Sequence, residues 1–286
     1  MRLVSYERDG ALRHGRLDGD QIDELGEGDL LGLLQRVFPL GDGALPSSRG
    51  RYAVADVSLR APLLRPGKLL AAAANYQDHV TETGGEPLDK SHLSPRLFLK
   101  PPTCIADPDE AIELPELSKQ VDWEAELGVV IGRTVKNVDV AEALGVVAGY
   151  LCANDVSARS VDYGFERDTD DKAVWFFDWL AGKWFDGFAP LGPYLVTADD
   201  VPDPQGLSVR FELNGQVRQQ GSTNDMIFSV AELISHASRL MTLEPGDVIL
   251  TGTPSGVGAA TGEYLSAGDR MTVTIGGLGE LRTELR

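Results

Sequence analysis

Val121-Asp122-Trp123-Glu124-Ala125-Glu126-Leu127 decides how this chain is read. Side chains of a β-strand alternate between its two faces. Val121, Trp123, Ala125 and Leu127 therefore make one apolar face, with Asp122, Glu124 and Glu126 on the other. Like charges on one side of a strand entering a core repel each other. They persist only in water, with raised pKa values, or around a bound cation. The segment alone leaves two readings open. It is either a solvated acidic strand face, or a strand whose Glu124 and Glu126, at i and i+2, share one ion.

Outward from this stretch the same period recurs. Val121–Ile131, Gly149–Asn154, Gly192–Val196, Ser208–Leu213, Asp247–Leu250 and Met271–Ile275 read as strands bounded by Gly, Pro or Asn/Asp turns. Asn214-Gly215 is a hairpin turn, and Asp9-Gly10 and Asp18-Gly19 join short strands across residues 3–24. Helical signals are few. Ser229 to Met241 has a capping-box spacing in Ser229 and Glu232, with Val230, Leu233, Ile234, Ala237 and Leu240 on one face. A modest helix is expected at Asp29 to Val37. Strands separated by irregular loops argue against a doubly wound sheet. The glycines from Gly252 to Gly258 fit neither a dinucleotide loop, because Thr261 replaces the third glycine, nor a phosphate loop, because no Lys follows. A small β-rich domain over 1–64 and a main domain over 65–286 are expected, divided at the breaks Pro62 and Pro66.

Composition narrows the partners. The 286 residues allow one large domain, or one large and one small, and 42% hydrophobic residues suffice for a core. Acids outnumber bases by 44 to 26, a formal charge of −18, which excludes a nucleic-acid or anionic-membrane surface. An anionic substrate would need a local positive feature. The N-terminus lacks a signal-peptide layout, and the longest apolar stretch, Ala143 to Ala153, is too short to span a bilayer. Cys104 and Cys152 fit no metal or redox spacing and read as reduced, buried small hydrophobes. A cytoplasmic protein is expected.

Three groups carry chemistry. Asp155 follows the apolar run Val146 to Ala153 and adds a third carboxylate to Glu124 and Glu126. Three oxygen ligands with no Cys or His cluster suit a hard cation such as Mg²⁺ and disfavour zinc. In Asn75-Tyr76-Gln77-Asp78-His79-Val80-Thr81-Glu82, a short helix would set His79 and Glu82 at i, i+3. That pair is either general-base machinery or a solvated surface pair. His14, His92 and His236 also have an acid three or four positions away and are left unassigned. Lys183, among aromatics, either snorkels to the surface or meets an anionic substrate.

Together these stretches resemble the fumarylacetoacetate hydrolase superfamily, its acylpyruvate hydrolase-like branch, across about residues 65 to 286. The resemblance also rests on Phe98-Leu99-Lys100-Pro101, Asn154-Asp155-Val156-Ser157-Ala158-Arg159, Gly182-Lys183, Pro245-Gly246-Asp247 and Thr251-Gly252-Thr253-Pro254-Ser255-Gly256. It implies an α+β, strand-dominated fold: a mixed β-sandwich roll with a small N-terminal β-rich domain. It further implies Mg²⁺ or Mn²⁺ on Glu124, Glu126 and Asp155, a His79–Glu82 dyad on a mobile lid, and a homodimer. The implied activity is hydrolysis of a C–C bond in a small anionic 2,4-dioxo acid. Lys183 and the backbone at Gly252 and Thr253 would hold its oxygens, and Arg159 would border the pocket. Decarboxylation of a 2-oxo diacid such as oxaloacetate, or an isomerisation, could use the same metal site. A non-catalytic cation-binding β-sandwich is the reading from another class. The chain departs from the resemblance at Ser160-Val161-Asp162, where the superfamily often carries Asp and Gln, and Tyr163 to Phe177 is longer than expected.

Overall fold

The computed structural model describes residues 1–286 apart from the side chain of Asp42. Among the described residues, strands form a twelve-stranded sheet, a five-stranded sheet and a two-stranded ribbon. The large sheet runs Gly50–Ala53, Gln21–Glu27, Ala11–Asp18, Arg2–Arg8, Ala189–Thr197, Val147–Asn154, Ala125–Ile131, Val248–Leu250, Leu69–Ala73, Arg96–Lys100, with two short strands off that path. It is mixed: Val248–Leu250 lies parallel to Leu69–Ala73 but antiparallel to Ala125–Ile131. The five-stranded sheet runs Gln216–Ser222, Ser208–Leu213, Arg270–Ile275, Gly279–Leu285, Ala111–Ile112. This is the strand-dominated, mixed-sheet fold that the resemblance implies.

The hairpin turns follow their residues. Asp9 and Gly10 have φ of 52° and 72°, and Asn214 and Gly215 have 53° and 77°. Positive φ at both central positions is the turn that matches strand twist. The meander Arg2–Arg8, Ala11–Asp18, Gln21–Glu27 joins the main sheet through Arg2↔Val196 and Leu3↔Leu195. Leu30, Leu33 and Leu34 share an apolar cluster with Leu69, Val130, Leu151 and Leu250. Residues 1–64 and 65–286 thus share one hydrogen-bonded sheet and one stretch of core.

Both faces of Ala125–Ile131 are covered. Ala125, Leu127, Val129 and Ile131 pack toward the five-stranded sheet with Phe211 and Val273, while Val130 joins the N-terminal cluster on the other face. The indole of Trp123 stacks on Phe211, with centroids 5.2 Å apart and planes 7° from parallel. Helix Val230–Leu240 starts with the expected capping box between Ser229 and Glu232 and buries Val230, Leu233, Ile234 and Ala237. Leu240, which the spacing puts on the same face, is exposed.

Two expectations need correction. The run Val121–Ile131 is two strands, Val121–Asp122 and Ala125–Ile131, broken at Trp123-Glu124. The helix expected at Asp29 to Val37 shrinks to Leu31–Leu34. Gly32 lies within it, and glycine is a poor helix former. Asp29 instead accepts from the N–H groups of Leu31 and Leu64, tying a loop together. The long segment after Tyr163 contains a helix, Lys172–Ala181, capped by the Asp171 carboxylate on the N–H groups of Ala173 and Val174. No helix among the described residues is long and apolar enough to cross a membrane. Cys104 and Cys152 are free and buried.

Candidate active site

The break at Trp123-Glu124 builds the site. Asp122 accepts from the N–H groups of Trp123 and Gly258, at 2.8 and 2.6 Å, and from that of Ala259 at 2.9 Å. The Glu124 N–H donates to Asn154 Oδ1 at 2.9 Å, and the Asp155 N–H donates to the Glu124 carbonyl at 2.9 Å. These bonds fix Glu124 beside the end of the buried strand Val147–Asn154, where Asp155 emerges. Glu126, on the pleat after Ala125, reaches the same point. Glu124, Glu126 and Asp155 are all buried, with one oxygen from each lying within 4.8 Å of the others.

Asp122 does not join them. It ties the loop at Gly258 to its own strand and ion-pairs with Arg159 Nε at 2.8 Å. The alternation put three acids on one solvated or ion-binding face; two of them meet Asp155, and none is solvated.

Two buried lysines and a half-buried arginine surround the cluster. Lys183 Nζ lies 2.8 Å from both Glu124 Oε2 and Asp155 Oδ2, and Arg159 Nη2 lies 2.7 Å from Glu124 Oε1. Lys100, for which the sequence carries no evident role, ion-pairs with the other oxygen of Asp155. Lys100 lies in the Phe98-Leu99-Lys100-Pro101 stretch that carries the resemblance, as a lysine closing an apolar strand before Pro101. Burial alone would raise the Glu124 carboxyl, yet Lys183, Arg159 and His79 outweigh it and hold the group at about 2. Glu126 goes the other way. Burial, then the charges of Asp155 and Glu124, push it well above the ordinary carboxylate value. Burial also disfavours the charged form of Lys183, but Asp155 and Glu124 reverse that and raise it.

This arrangement fits a hard divalent cation. The donors are oxygens alone, and Glu126 sits in an excess of negative charge that a cation would relieve. The Tyr76 hydroxyl, buried beside Glu126, has no hydrogen-bond partner among the described residues. Glu124, Glu126 and Asp155 would hold the ion.

The helix Gln77–Glu82 stands across the cavity. His79 Nδ1 lies 2.9 Å from Glu82 Oε1, the i, i+3 pair its spacing predicts. Glu82 accepts the Gly256 N–H through its other oxygen at 2.7 Å, and Asp78 accepts from the Ser255 hydroxyl at 2.7 Å. With Glu82 as acceptor, Nδ1 is the donor of this pair and Nε2 is left outside it. Asn75 fastens the base of the helix, donating to the carbonyls of Phe228 and Thr251 and accepting the Phe228 N–H.

The Gly252 N–H donates to Glu126 Oε2 at 2.7 Å. In this structure that N–H supports Glu126 in the carboxylate cluster. Thr253 donates to the Ala125 carbonyl, accepts from Gln219, and borders the cavity. Gln219 had no legible signal, since its strand Gln216–Ser222 has Val217 as its one apolar side chain and shows no alternation. His92 pairs with Asp89 on the surface and His14 is buried in the N-terminal meander, both outside this cavity. One cavity of about 850 Å³ brings together His79, Glu124, Asp155, Arg159, Lys183 and Thr253.

Comparison with known proteins bears on the family and the fold. The fumarylacetoacetate (FAA) hydrolase C-terminal family matches residues 68–286. A solved fumarylacetoacetate hydrolase from psychrophilic Exiguobacterium antarcticum is 33% identical, with a TM-score of 0.82 over 100% of this chain and 99% of its own. A 5-carboxymethyl-2-hydroxymuconate delta-isomerase from Mycobacterium smegmatis is 34% identical, with a TM-score of 0.79 over 100% and 99%. A maleylpyruvate hydrolase from Sphingobium sp. SYK-6 is 30% identical, with a TM-score of 0.78 over 100% and 99%.

Proposed function

The chain belongs to the fumarylacetoacetate hydrolase superfamily, and we propose that within that family of enzymes it hydrolyses a C–C bond of an acylpyruvate. The observation that carries this is one cavity lined both by Glu124 and Asp155 of the three-carboxylate cluster and by His79 of the His–Glu pair. A bound Mg²⁺ or Mn²⁺ would supply Lewis-acid polarisation of the 2-oxo acid end and offset its charge. The chain's own residues do the rest. Glu82 holds the His79 ring, and Nε2 takes a proton from water. The water oxygen bonds to C4 and the C3–C4 bond breaks. Its electron pair stays on C3, which is then protonated, giving a carboxylic acid and pyruvate. Lys183, kept cationic by Glu124 and Asp155, faces the developing negative charge in a water-poor site. Arg159 steadies Glu124, and Thr253 borders the reacting end.

Open cavity space beside Glu124 and Asp155 argues against a purely structural ion, which protein ligands would close off. Decarboxylation or isomerisation by the same residues is the second reading, favoured by the isomerase among the similar structures. The deciding experiment assays acetylpyruvate hydrolysis and oxaloacetate decarboxylation at saturating Mg²⁺ for wild type, His79→Ala and Glu82→Gln. Hydrolysis should fall on the order of 10²–10⁴-fold in His79→Ala and less in Glu82→Gln. Decarboxylation, which needs no attacking water, should change little. Equal loss of both reactions would reassign His79 to substrate binding; unchanged hydrolysis would discard the dyad. The same reading has the enzyme working as a homodimer, which sedimentation of the purified protein checks.

A further inference from the structure

The cavity is much larger than a 2-oxo acid head requires, at about 850 Å³, and its outer part is aromatic. Helix Lys172–Ala181 places Trp175, Phe176 and Trp179 along one side, and all three line the cavity. Their i, i+3 and i, i+4 spacings set them on a single face. Phe176 stacks on Trp179 at 6.0 Å, Trp179 meets Phe98 edge-on at 5.1 Å, and Phe98 lies 5.7 Å from Lys183 Nζ. An unbroken row of rings therefore leads from the carboxylate floor to the mouth.

The helix is also anomalous by itself. It has no fully buried residue, and the lining residues Trp175 and Phe176 are 61% and 46% exposed. So much exposed aromatic surface in one short helix marks a place where apolar matter binds. Its continuity with the site says what that matter is. Charges in the outer cavity point the same way. Asp178 is paired with Arg167 at 2.5 Å, and Arg96 is exposed to solvent. Neither offers a desolvated cation for a second carboxylate at the far end of a substrate.

We propose that the acyl group is apolar and planar, an aroyl or arylalkenoyl group, stacked on Trp175, Phe176 and Trp179 while the 2-oxo acid end points to Lys183. This deepens the acylpyruvate reading and rests on it for the orientation of the head. Binding can be tested apart from cleavage with 2-oxo acids that lack the 4-oxo group and cannot be hydrolysed. Calorimetry on the Mn²⁺-loaded protein would compare 2-oxo-4-phenylbutanoate, 2-oxobutanoate and the diacid 2-oxoadipate.

The phenyl ligand should bind at least about tenfold tighter than 2-oxobutanoate, the worth of one good aromatic contact together with its burial. The diacid should show no such gain. Trp175→Ala and Phe176→Ala should each remove much of the phenyl preference and leave 2-oxobutanoate unaltered. Phe177→Ala, off the lining, should change neither. A tighter diacid, or variants that weaken both monoacids equally, would overturn the inference, and binding of none of the three would overturn it as well. If the phenyl preference holds but benzoylpyruvate is not cleaved, the hydrolase reading falls and the aromatic tail site stands.

Discussion

Glu126→Gln separates what the carboxylate cluster does for metal binding from what it does for folding. The amide keeps the side chain's size and can still accept the Gly252 N–H that now reaches Glu126 Oε2 at 2.7 Å. Only the charge is lost. Oxygens of Glu124, Glu126 and Asp155 lie within 4.8 Å of one another. At an effective dielectric of about 20, two unit charges that far apart repel by about 3 kcal/mol. Lys183, Lys100 and Arg159 offset part of this, and what remains still disfavours a charged Glu126 in the metal-free protein. Thermal unfolding in EDTA should then find the variant at least as stable as wild type. Any gain would raise Tm by about 2–4 °C per kcal/mol. Saturating Mg²⁺ should reverse the order. Wild type gains about 2.7 kcal/mol at a hundred times Kd, whereas the variant, short of one anionic ligand, gains far less. The pH dependence carries a second check. A carboxyl whose folded pKa is raised contributes stability that is full below its unfolded value, about 4.3, and is lost as pH rises through the folded value. Burial and the neighbouring Asp155 and Glu124 raise Glu126 in this way. In EDTA, wild type should therefore lose ground to the variant as pH climbs from about 4.3. An equal metal-induced shift in both proteins, or a variant clearly less stable in EDTA, would refute the cluster as a metal site under charge strain.

Gly252→Ala should destabilise the fold by roughly 2 kcal/mol or more, because Gly252 has φ of +93° and an added Cβ would stand 2.7 Å from Asn75 Cβ. Denaturant unfolding measures the loss, and the Mg²⁺-induced shift should shrink along with it, since this residue's N–H positions Glu126; a near-neutral change would contradict the crowding. His14 is buried, with Nδ1 3.2 Å from the Gly28 carbonyl and Nε2 unpartnered among the described residues. Burial lowers its pKa, and nearby Arg36 and Arg49 add to this against the Gly28 bond and Asp29. The unfolded chain then binds the extra proton first, so wild type should lose stability as pH falls below about 6.5, at up to about 1.4 kcal/mol per unit. His14→Asn should flatten that slope between pH 8 and 5 in denaturant titrations; an unchanged slope would place the acid sensitivity elsewhere.

What the sequence discloses depends on the range of the forces involved. Ser208–Leu213, the Asn214-Gly215 turn and the Ser229–Glu232 cap are local, since each is decided by residues a few positions apart, and each forms where expected. Glu124, Glu126 and Asp155 were legible as a group because two alternate along a strand and the third ends a buried run. Their environment was not legible. Asp122 looks equivalent to Glu124 by period, but the N–H groups of Gly258 and Ala259, far along the chain, draw it out of the cluster and break the strand. Lys100 meets Asp155 across 55 positions, and Gln219 meets Thr253 across 34. No window of a dozen residues contains either pair. The helix Lys172–Ala181 escaped for another reason. Its cap, Asp171, is an ordinary signal, but Val174-Trp175-Phe176-Phe177 has no polar side to reveal a helical period. A helix earns a visible stripe by burying one face in its own fold. This one turns Trp175, Phe176 and Trp179 to the cavity and leaves Phe177 exposed outside it, so its apolar residues fall on more than one side and no period shows.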